Sequence, residues 1–357
     1  MTILRSLGSN PLNRIHGEAS SNISSRPTCG WLAAVILICV SLGCQESTTP
    51  TQKEAGLTKV RLQLNWVPEA EHGGFYAADV YGFYKQAGIE VEIIPGGVSA
   101  PVLQQVAMDR VEFGVINSDW IILGRNDGVK VQALMAPIQN SPRCILVRPE
   151  VGAKTFADLK NLTLAASPNN AFLAFMQKKL PLENVQQVPY QSMQAFFANP
   201  KYAQQGYSFS EPYLARQQNI DPTVLMLSDL GFNPYTSCLV AGESLIQKDP
   251  ALVRRFVQAS IRGWERYLSD PVETNAKIAK LNPDQTPESL DFAIQEIRKL
   301  CQWEESVGRT KAPVGLMTVE RFREMGQVLT EISFLKSGDS SVYEDSFTQE
   351  FLPELAQ

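Results

Sequence analysis

Apolar and polar positions change period along the chain. Residues 59–64 (KVRLQL) alternate with period two, as a half-buried strand does, and residues 89–94 (IEVEII) and 111–116 (VEFGVI) repeat that pattern. Residues 74–86 and 100–109 between them carry helical spacing, and Asn117-Ser118-Asp119 supplies side chains suited to cap a helix starting near Trp120. This βαβαβ order with short connections predicts a mainly parallel, doubly wound α/β sheet, whose ligands sit beyond the carboxyl ends of strands and beside helix N-termini. A second unit of the same kind starts near Ile145: ILVRP, FADLK at 156–160, a strand near 161–166, and Ser167-Pro168-Asn169-Asn170 opening a helix. It continues with a strand and loop at 185–190 and with residues 202–211 (YAQQGYSFSE), which end at Pro212. Residues 224–227 and 236–241 read as strands returning to the first unit. The C-terminal third is helical, with strong periodicity over 250–268, 288–303 and 319–332.

The N-terminus sets the compartment. Residues 1–30 are polar, with Arg5, Arg14 and Arg26 against the single acid Glu18, and residues 31–40 (WLAAVILICV) form an unbroken apolar run. That is the h-region of a signal peptide, too short for a mature transmembrane helix of about 20 apolar residues. It ends in Ser41-Leu42-Gly43-Cys44, similar to a bacterial lipobox in which the cysteine thiol is lipidated, although Ser41 stands where Leu is usual. Residues 1–44 are thus expected to be a signal peptide with Cys44 as lipid attachment point; plain secretion and a retained anchor are the alternatives. Residues 45–57, polar and rich in Thr and Gln, read as a flexible tether. Once the signal is removed roughly 310 residues remain, enough for two domains with cores of their own.

Charge and reactive residues narrow the function. A formal net charge of −5 with no basic block beyond the signal region argues against a nucleic-acid partner. Cys29 and Cys39 leave with the signal and Cys44 carries lipid, so Cys144, Cys238 and Cys301 remain, with no CxxC spacing. The sole mature histidine is His72. No zinc site built on several His or Cys ligands is expected, and neither a nucleophile elbow nor a phosphate-binding loop occurs. No metal, cofactor or catalysis is implied.

Residues 65–93 (NWVPEAEHGGFYAADVYGFYKQAGIEVEI) carry a more specific signal. This segment resembles the opening of the ABC-transporter solute-binding proteins of the thiamine-pyrimidine-synthase-like and sulfonate-, taurine- and nitrate-binding family. Residues 111–120 (VEFGVINSDW), 141–147 (SPRCILV), 208–216 (SFSEPYLAR) and 253–273 add weaker matches in the family's order. The resemblance implies a type II periplasmic-binding-protein fold: two doubly wound α/β lobes joined by two crossover strands, with 58–143 plus 237–357 as lobe I and 144–236 as lobe II. It implies a monomeric, membrane-anchored bacterial lipoprotein at the periplasmic or cell surface that hands a small molecule to a permease. Cys144 and Cys238 fall near the two crossovers, where an oxidising compartment permits a hinge disulfide but two unbridged thiols are the commoner outcome.

Such a clamp closes on its ligand and desolvates it. Trp66 and Tyr76 are candidate aromatic walls, and His72, amid Gly73 and Gly74, a candidate polar contact. Ser118 and Asp119 are candidates for lobe I, Asn169 and Asn170 their counterparts at a helix start in lobe II, and Glu211, just before Pro212, a cleft-facing acid. Gln139, Ser141 and Tyr235 lie near the crossovers. The ordinary alternatives are core packing for Tyr76, simple capping for Ser118 and Asp119, and a solvated turn for Glu211. Glu69, Glu71, Asp119 and Glu211 against Arg143 favour a neutral-to-cationic heteroaromatic, best a thiamine-precursor pyrimidine and next a flavin, over sulfonate, taurine or nitrate. The competing classes are a sensor clamp partnering a membrane protein and a thiamine pyrimidine synthase-like enzyme. That enzyme uses a lysine and a histidine four residues apart after the third strand; here Ile116 and Trp120 stand in those places.

Overall fold

The structure is a computed structural model and describes residues 56–98, 100–335 and 340–353; the signal segment with Cys44 and residues 45–55 of the tether lie outside the described residues. The first strands and helices are β1 (Thr58–Gln63), α1 (Gly73–Val80), α2 (Phe83–Gln86), β2 (Ile89–Ile94), α3 (Val102–Ala107), β3 (Phe113–Ile116), α4 (Ser118–Asn126) and β4 (Val131–Met135). There follow β5 (Arg143–Val147), β6 (Thr163–Ala165), α5 (Ala171–Lys179), β7 (Gln186–Val188), α6 (Gln194–Ala198), β8 (Tyr202–Tyr207), α7 (Glu211–Gln217), β9 (Thr223–Met226) and α8 (Leu227–Leu230). The chain then runs through β10 (Cys238–Gly242), α9 (Glu243–Lys248), α10 (Pro250–Ser269), α11 (Val272–Leu281), α12 (Pro287–Leu300), β11 (Trp303–Glu304), β12 (Arg309–Thr310), α13 (Val319–Glu331) and α14 (Ser341–Glu344).

Two five-stranded sheets share one plan. The first has the order β2-β1-β3-β10-β4, with β1 parallel to β2 and β3 and with β10 antiparallel to β3 and β4. The second has the order β7-β6-β8-β5-β9, with β6 parallel to β7 and β8 and with β5 antiparallel to β8 and β9. Each sheet is thus a parallel trio extended by a strand that has crossed from the other lobe. The inner strands read FGVI, CLVAG and RCILV and are buried almost throughout, as strands covered on both faces must be. β1, nearer the edge, starts exposed and becomes buried toward its carboxyl end.

Two sequence-based expectations change. Residues 224–227 do not return to the first lobe: β9 pairs with β5 through Cys144↔Met226 to Val147↔Thr223 and forms the edge of the second sheet. Periodicity marks a strand but carries no information about which sheet receives it. The helix expected over 74–86 is two, α1 and α2, separated by Gly82 at φ 69, a left-handed turn that glycine adopts without strain. Cys144 and Cys238 sit in strands of different sheets; both are free and buried, as is Cys301, so the hinge disulfide is set aside. β4 and α11 are additional elements that the reading of periodicity passed over.

The packing of α1 on α10 positions the segment between β1 and α1. A Cβ at Gly73 would fall on the Tyr267 ring, one at Gly74 on the Trp264 ring, and one at Gly263 2.2 Å from the Gly74 carbonyl oxygen. Glycine on both helices therefore lets the backbones approach while two aromatic rings of α10 fill the space. Among the described residues no helix is long and apolar enough to cross a membrane.

Candidate ligand-binding cleft

Between the sheets lies a cavity of about 210 Å³ whose walls come from both lobes. From the first lobe it receives the segment following β1: Asn65, Trp66, Glu69 and Glu71. That segment is pinned along its length. Gln63 Nε2 donates to the carbonyls of Leu64, Ile94 and Pro95 at 3.0 to 3.3 Å, Gly96 N donates to Trp66 O at 2.8 Å, and Asn282 Nδ2 donates to Pro68 O at 2.9 Å. Gly96 makes the approach possible, since a Cβ there would stand 2.2 Å from Leu64 O. Trp66, with 36% of its surface exposed, is left as an open aromatic wall.

From the second lobe come Asn170 and Phe172 at the start of α5, Tyr190 after β7, Gln205 and Tyr207 on one face of β8, and Ser210 and Glu211 at the start of α7. Gly206 leaves room for Glu211, whose Cβ would lie 3.1 Å from a Cβ at that position, and Glu211 Oε2 accepts from Tyr207 N at 2.7 Å. Gln205 Oε1 accepts from Ser167 N at 2.8 Å and so holds the turn that carries Asn170. Aromatic faces thus alternate with carboxylate and amide groups around a half-enclosed space, the composition of a site for a planar, hydrogen-bonding ligand.

Charged groups in the cavity are unevenly matched. Arg143, the first residue of β5, places Nη1 2.6 Å from Asp119 Oδ2 in α4, with both side chains buried. Burial alone would lower the Arg143 pKa, but Asp119 and Tyr207 beside it outweigh that and raise it, so the guanidinium stays charged. Burial, and then the neighbouring carboxylates of Glu71 and Glu211, hold the Glu69 carboxyl well above the usual range. Burial likewise raises Glu211, against the hydrogen bond from Tyr207 N, and pushes the Tyr207 and Tyr190 hydroxyls up to about 12. His72 Nε2 lies 2.9 Å from Asn65 Oδ1 and 3.1 Å from Glu71 Oε1. With oxygen acceptors on both sides, that nitrogen is the one carrying a proton.

Of the candidate contacts named from the sequence, Trp66, Asn170 and Glu211 line this cavity, as do the charged Glu69, Glu71 and Arg143, whereas Tyr76, His72, Ser118, Asp119, Asn169, Gln139, Ser141 and Tyr235 do not. Tyr76 is in the core of α1, only 2% exposed, because the helix turns it toward the packed interior. His72 is fully buried behind Asn65 and Glu71. Ser118 and Asp119 are inside α4 rather than at its cap: Asn117 is the N-cap residue and makes no side-chain cap bond. Its amide instead ties the lobes, donating from Nδ2 to Tyr207 Oη at 2.9 Å and accepting from Ser237 N at 3.2 Å. Asn169 is exposed beside Asn170. Gln139 Nε2 donates to the Ala136 and Leu316 carbonyls, Ser141 N donates to Asn233 Oδ1, and Tyr235 Oη accepts from Thr318 N, which places all three in the crossover region. Tyr190 and Phe172 have no signal in the sequence. Gln205 and Tyr207 have one, since the period of two in YAQQGY sets both on one face of the strand.

The NMT1/THI5-like family model matches residues 69–274. A riboflavin-binding protein, RibY, of Chloroflexus aurantiacus is 24% identical over 346 residues, covering 89% of this chain and 95% of the relative. A formylaminopyrimidine-binding protein of Halalkalibacterium halodurans is 21% identical, covering 89% and 97%. Among solved structures, the periplasmic aliphatic sulphonate-binding protein SsuA of Escherichia coli superposes with a TM-score of 0.58 at 14% identity, over 80% of this chain and 91% of its own. The desulfurization enzyme DSZB does so with a TM-score of 0.57 at 14% identity, over 82% and 97%. These likenesses show the periplasmic-binding-protein fold that the two sheets and their crossover strands describe.

Proposed function

The chain belongs to the NMT1/THI5-like family, and from that premise we propose that it is the exported solute-binding component of an ABC importer, capturing a small heteroaromatic molecule between its lobes. The observation that carries the reading is the cavity itself: Trp66 from one lobe and Phe172, Tyr190 and Tyr207 from the other surround Asn170, Gln205 and Glu211. Ring faces give contact area with little orientation, and the amide and carboxylate groups fix which edge of the ring points where. At about 210 Å³ the space lies below the ~300–1,000 Å³ typical of drug-sized ligands, which favours a single-ring compound such as a thiamine-precursor pyrimidine over a three-ring flavin. The curated relatives bind riboflavin and formylaminopyrimidine, so both ring systems belong in the test.

Non-enzymatic capture is part of the proposal. Both curated relatives are binding proteins, and Ile116 and Trp120 occupy the places where the synthase relatives carry lysine and histidine, leaving no amine there to form a Schiff base. Likeness of fold to a desulfurization enzyme does not bear on chemistry, because fold and function separate freely. We take the lobes as 58–143 plus 237–357 and 144–236, a division supported by the separate strand orders of the two sheets, although β5 opens at Arg143, one residue before the boundary. Lipid attachment at Cys44 would hold the clamp beside its permease. Mass spectrometry of the membrane-derived protein is expected to find an acylated N-terminal cysteine, lost in Cys44→Ser; an unmodified chain released into solution would refute the anchor.

Thermal unfolding with riboflavin, a formylaminopyrimidine, an alkanesulfonate and nitrate tests the binding reading. A cognate ligand at about a thousand times its Kd stabilises by roughly 4 kcal/mol, a rise in midpoint of about 8 °C. A shift with a heteroaromatic and none with sulfonate or nitrate supports it. A shift with sulfonate alone overturns the ligand class.

A further inference from the structure

The cavity contains more carboxylates than cations. Glu69 and Glu71 enter it beside the short helix Ala70–His72, and Glu211 enters from the first turn of α7. Its lining guanidinium, Arg143, is already matched by Asp119 at 2.6 Å. A second, independent feature points the same way. Glu71 is 1% exposed; its Oε1 takes Asn65 Nδ2 and His72 Nε2, while Oε2, on the same cavity-lining side chain, has no partner in the protein. A buried carboxylate oxygen in that condition calls for a donor, and native proteins leave few such atoms unsatisfied. Among the described residues no group of three or more His, Cys, Asp or Glu is arranged to hold a metal ion. The surrounding faces of Trp66, Tyr190 and Tyr207 are negative at their centres and favour an organic cation.

We propose that the ligand is a cation: a nitrogen heterocycle bearing a protonated amino or amidinium group that is held among the carboxyl groups of Glu69, Glu71 and Glu211 as the lobes close around it. This rests on the binding-protein reading above and narrows its substrate class. Glu71 is thereby a specificity residue, held in place by Asn65 and His72. Glu211, tied to Tyr207 N through Oε2, closes the same negative field from the other lobe when the clamp shuts. Anionic solutes are rejected because Arg143 has no charge to spare for them.

Proton linkage follows from the same cluster. The groups facing Glu69 are Glu71 and His72 on its own segment, Tyr267 of α10, Asp284 across the small cleft before α12, Arg143 at the start of β5, and Tyr190, Tyr207 and Glu211 from the second lobe. Burial and the neighbouring carboxylates hold its carboxyl well above the usual range, so it gives up its proton at a higher pH than an exposed glutamate does. A ligand cation arriving beside it expels that proton into solution.

Calorimetric titration of the full chain in detergent at neutral pH tests this with two probes that share one ring: an aminomethylpyrimidine, cationic through its amine, and its neutral N-formyl derivative. The amine is expected to bind about tenfold tighter or better, and its binding enthalpy to vary between buffers of different ionisation enthalpy, in the sense of proton release. Glu69→Gln and Glu71→Gln, each checked for an intact thermal transition, are expected to remove that preference, bringing the dissociation constants of the two probes within about threefold of each other whatever their common level. Equal or tighter binding of the formyl derivative, or a preference that survives both substitutions, overturns the cation assignment and leaves the binding-protein reading standing. The absence of binding by both pyrimidines and by riboflavin overturns that reading and the cation assignment with it.

Discussion

Arg143 and Asp119 show what one pair of side chains contributes. Each is buried, each has the other as ionic partner, and Asp119 Oδ1 has no further donor in the protein. Asp119→Ala leaves a guanidinium uncompensated in the interior and is expected to cost about 3–5 kcal/mol in urea denaturation, with the midpoint falling accordingly. The sequence marks both residues as charged groups near the expected cleft; that they neutralise one another is a matter of β5 starting beside α4, 24 residues on. Glu69 behaves in the opposite sense to a salt-bridged acid. Its folded pKa is raised above the usual 4.5, so the stability it contributes is complete below that value and is lost as pH rises through the folded pKa. Urea denaturation of the unliganded protein is expected to show Glu69→Gln gaining stability relative to the native chain over a pH window that opens at about 4.5 and extends upward. A constant difference across that window would show that Glu69 does not titrate there.

At the scale of elements, the contact of α1 with α10 governs the site without touching ligand. Gly263→Ala pushes a Cβ to within 2.2 Å of the Gly74 carbonyl oxygen and 2.7 Å of Ala78 Cβ. Backbone cannot yield as a flexible side chain can, so the helices must separate, at an expected cost of about 1–3 kcal/mol in thermal unfolding. Because α1 follows directly on the segment bearing Trp66, Glu69 and Glu71, the same substitution is expected to weaken ligand binding as well, and Gly82→Ala, at an open turn beyond that contact, is not. Most elements were legible: β1, β2, β3, α10, α12 and α13 fall where periodicity puts them. β4 was passed over although its residues are almost wholly buried, since a short continuous apolar run carries neither period.

For the whole molecule, the lobes meet at several places outside the cavity. Tyr213 and Arg216 of α7 lie 5.6 and 5.7 Å from the Phe292 ring of α12, and Lys179 of α5 pairs with Glu331 of α13 at 3.1 Å. The second contact is between exposed side chains and is expected to matter little, with Glu331→Gln changing stability by under about 1 kcal/mol. The first packs apolar surface only when the lobes are together. Phe292→Ala is therefore expected to favour the open clamp and to weaken ligand binding about fivefold through a faster off-rate, with the thermal midpoint of the unliganded protein nearly unchanged. An unchanged off-rate would place Phe292 outside the closing motion.

Local pattern determined the strands and long helices, the doubly wound class of each unit and the family resemblance of residues 65–93, because hydrophobic period, turn residues and short motifs are written into adjacent positions. Trp66, Asn170 and Glu211 were within reach for the same reason: each lies where a strand or loop gives way to a helix, and such junctions are visible along the chain. Tertiary structure alone decided that β9 joins the second sheet, that Cys144 and Cys238 stay apart, that Asp119 answers Arg143, and that Tyr190 and Phe172 complete the aromatic wall. Each of those depends on how two separately patterned units cross over and close on one another. A contact between residues distant in sequence has no period to announce it.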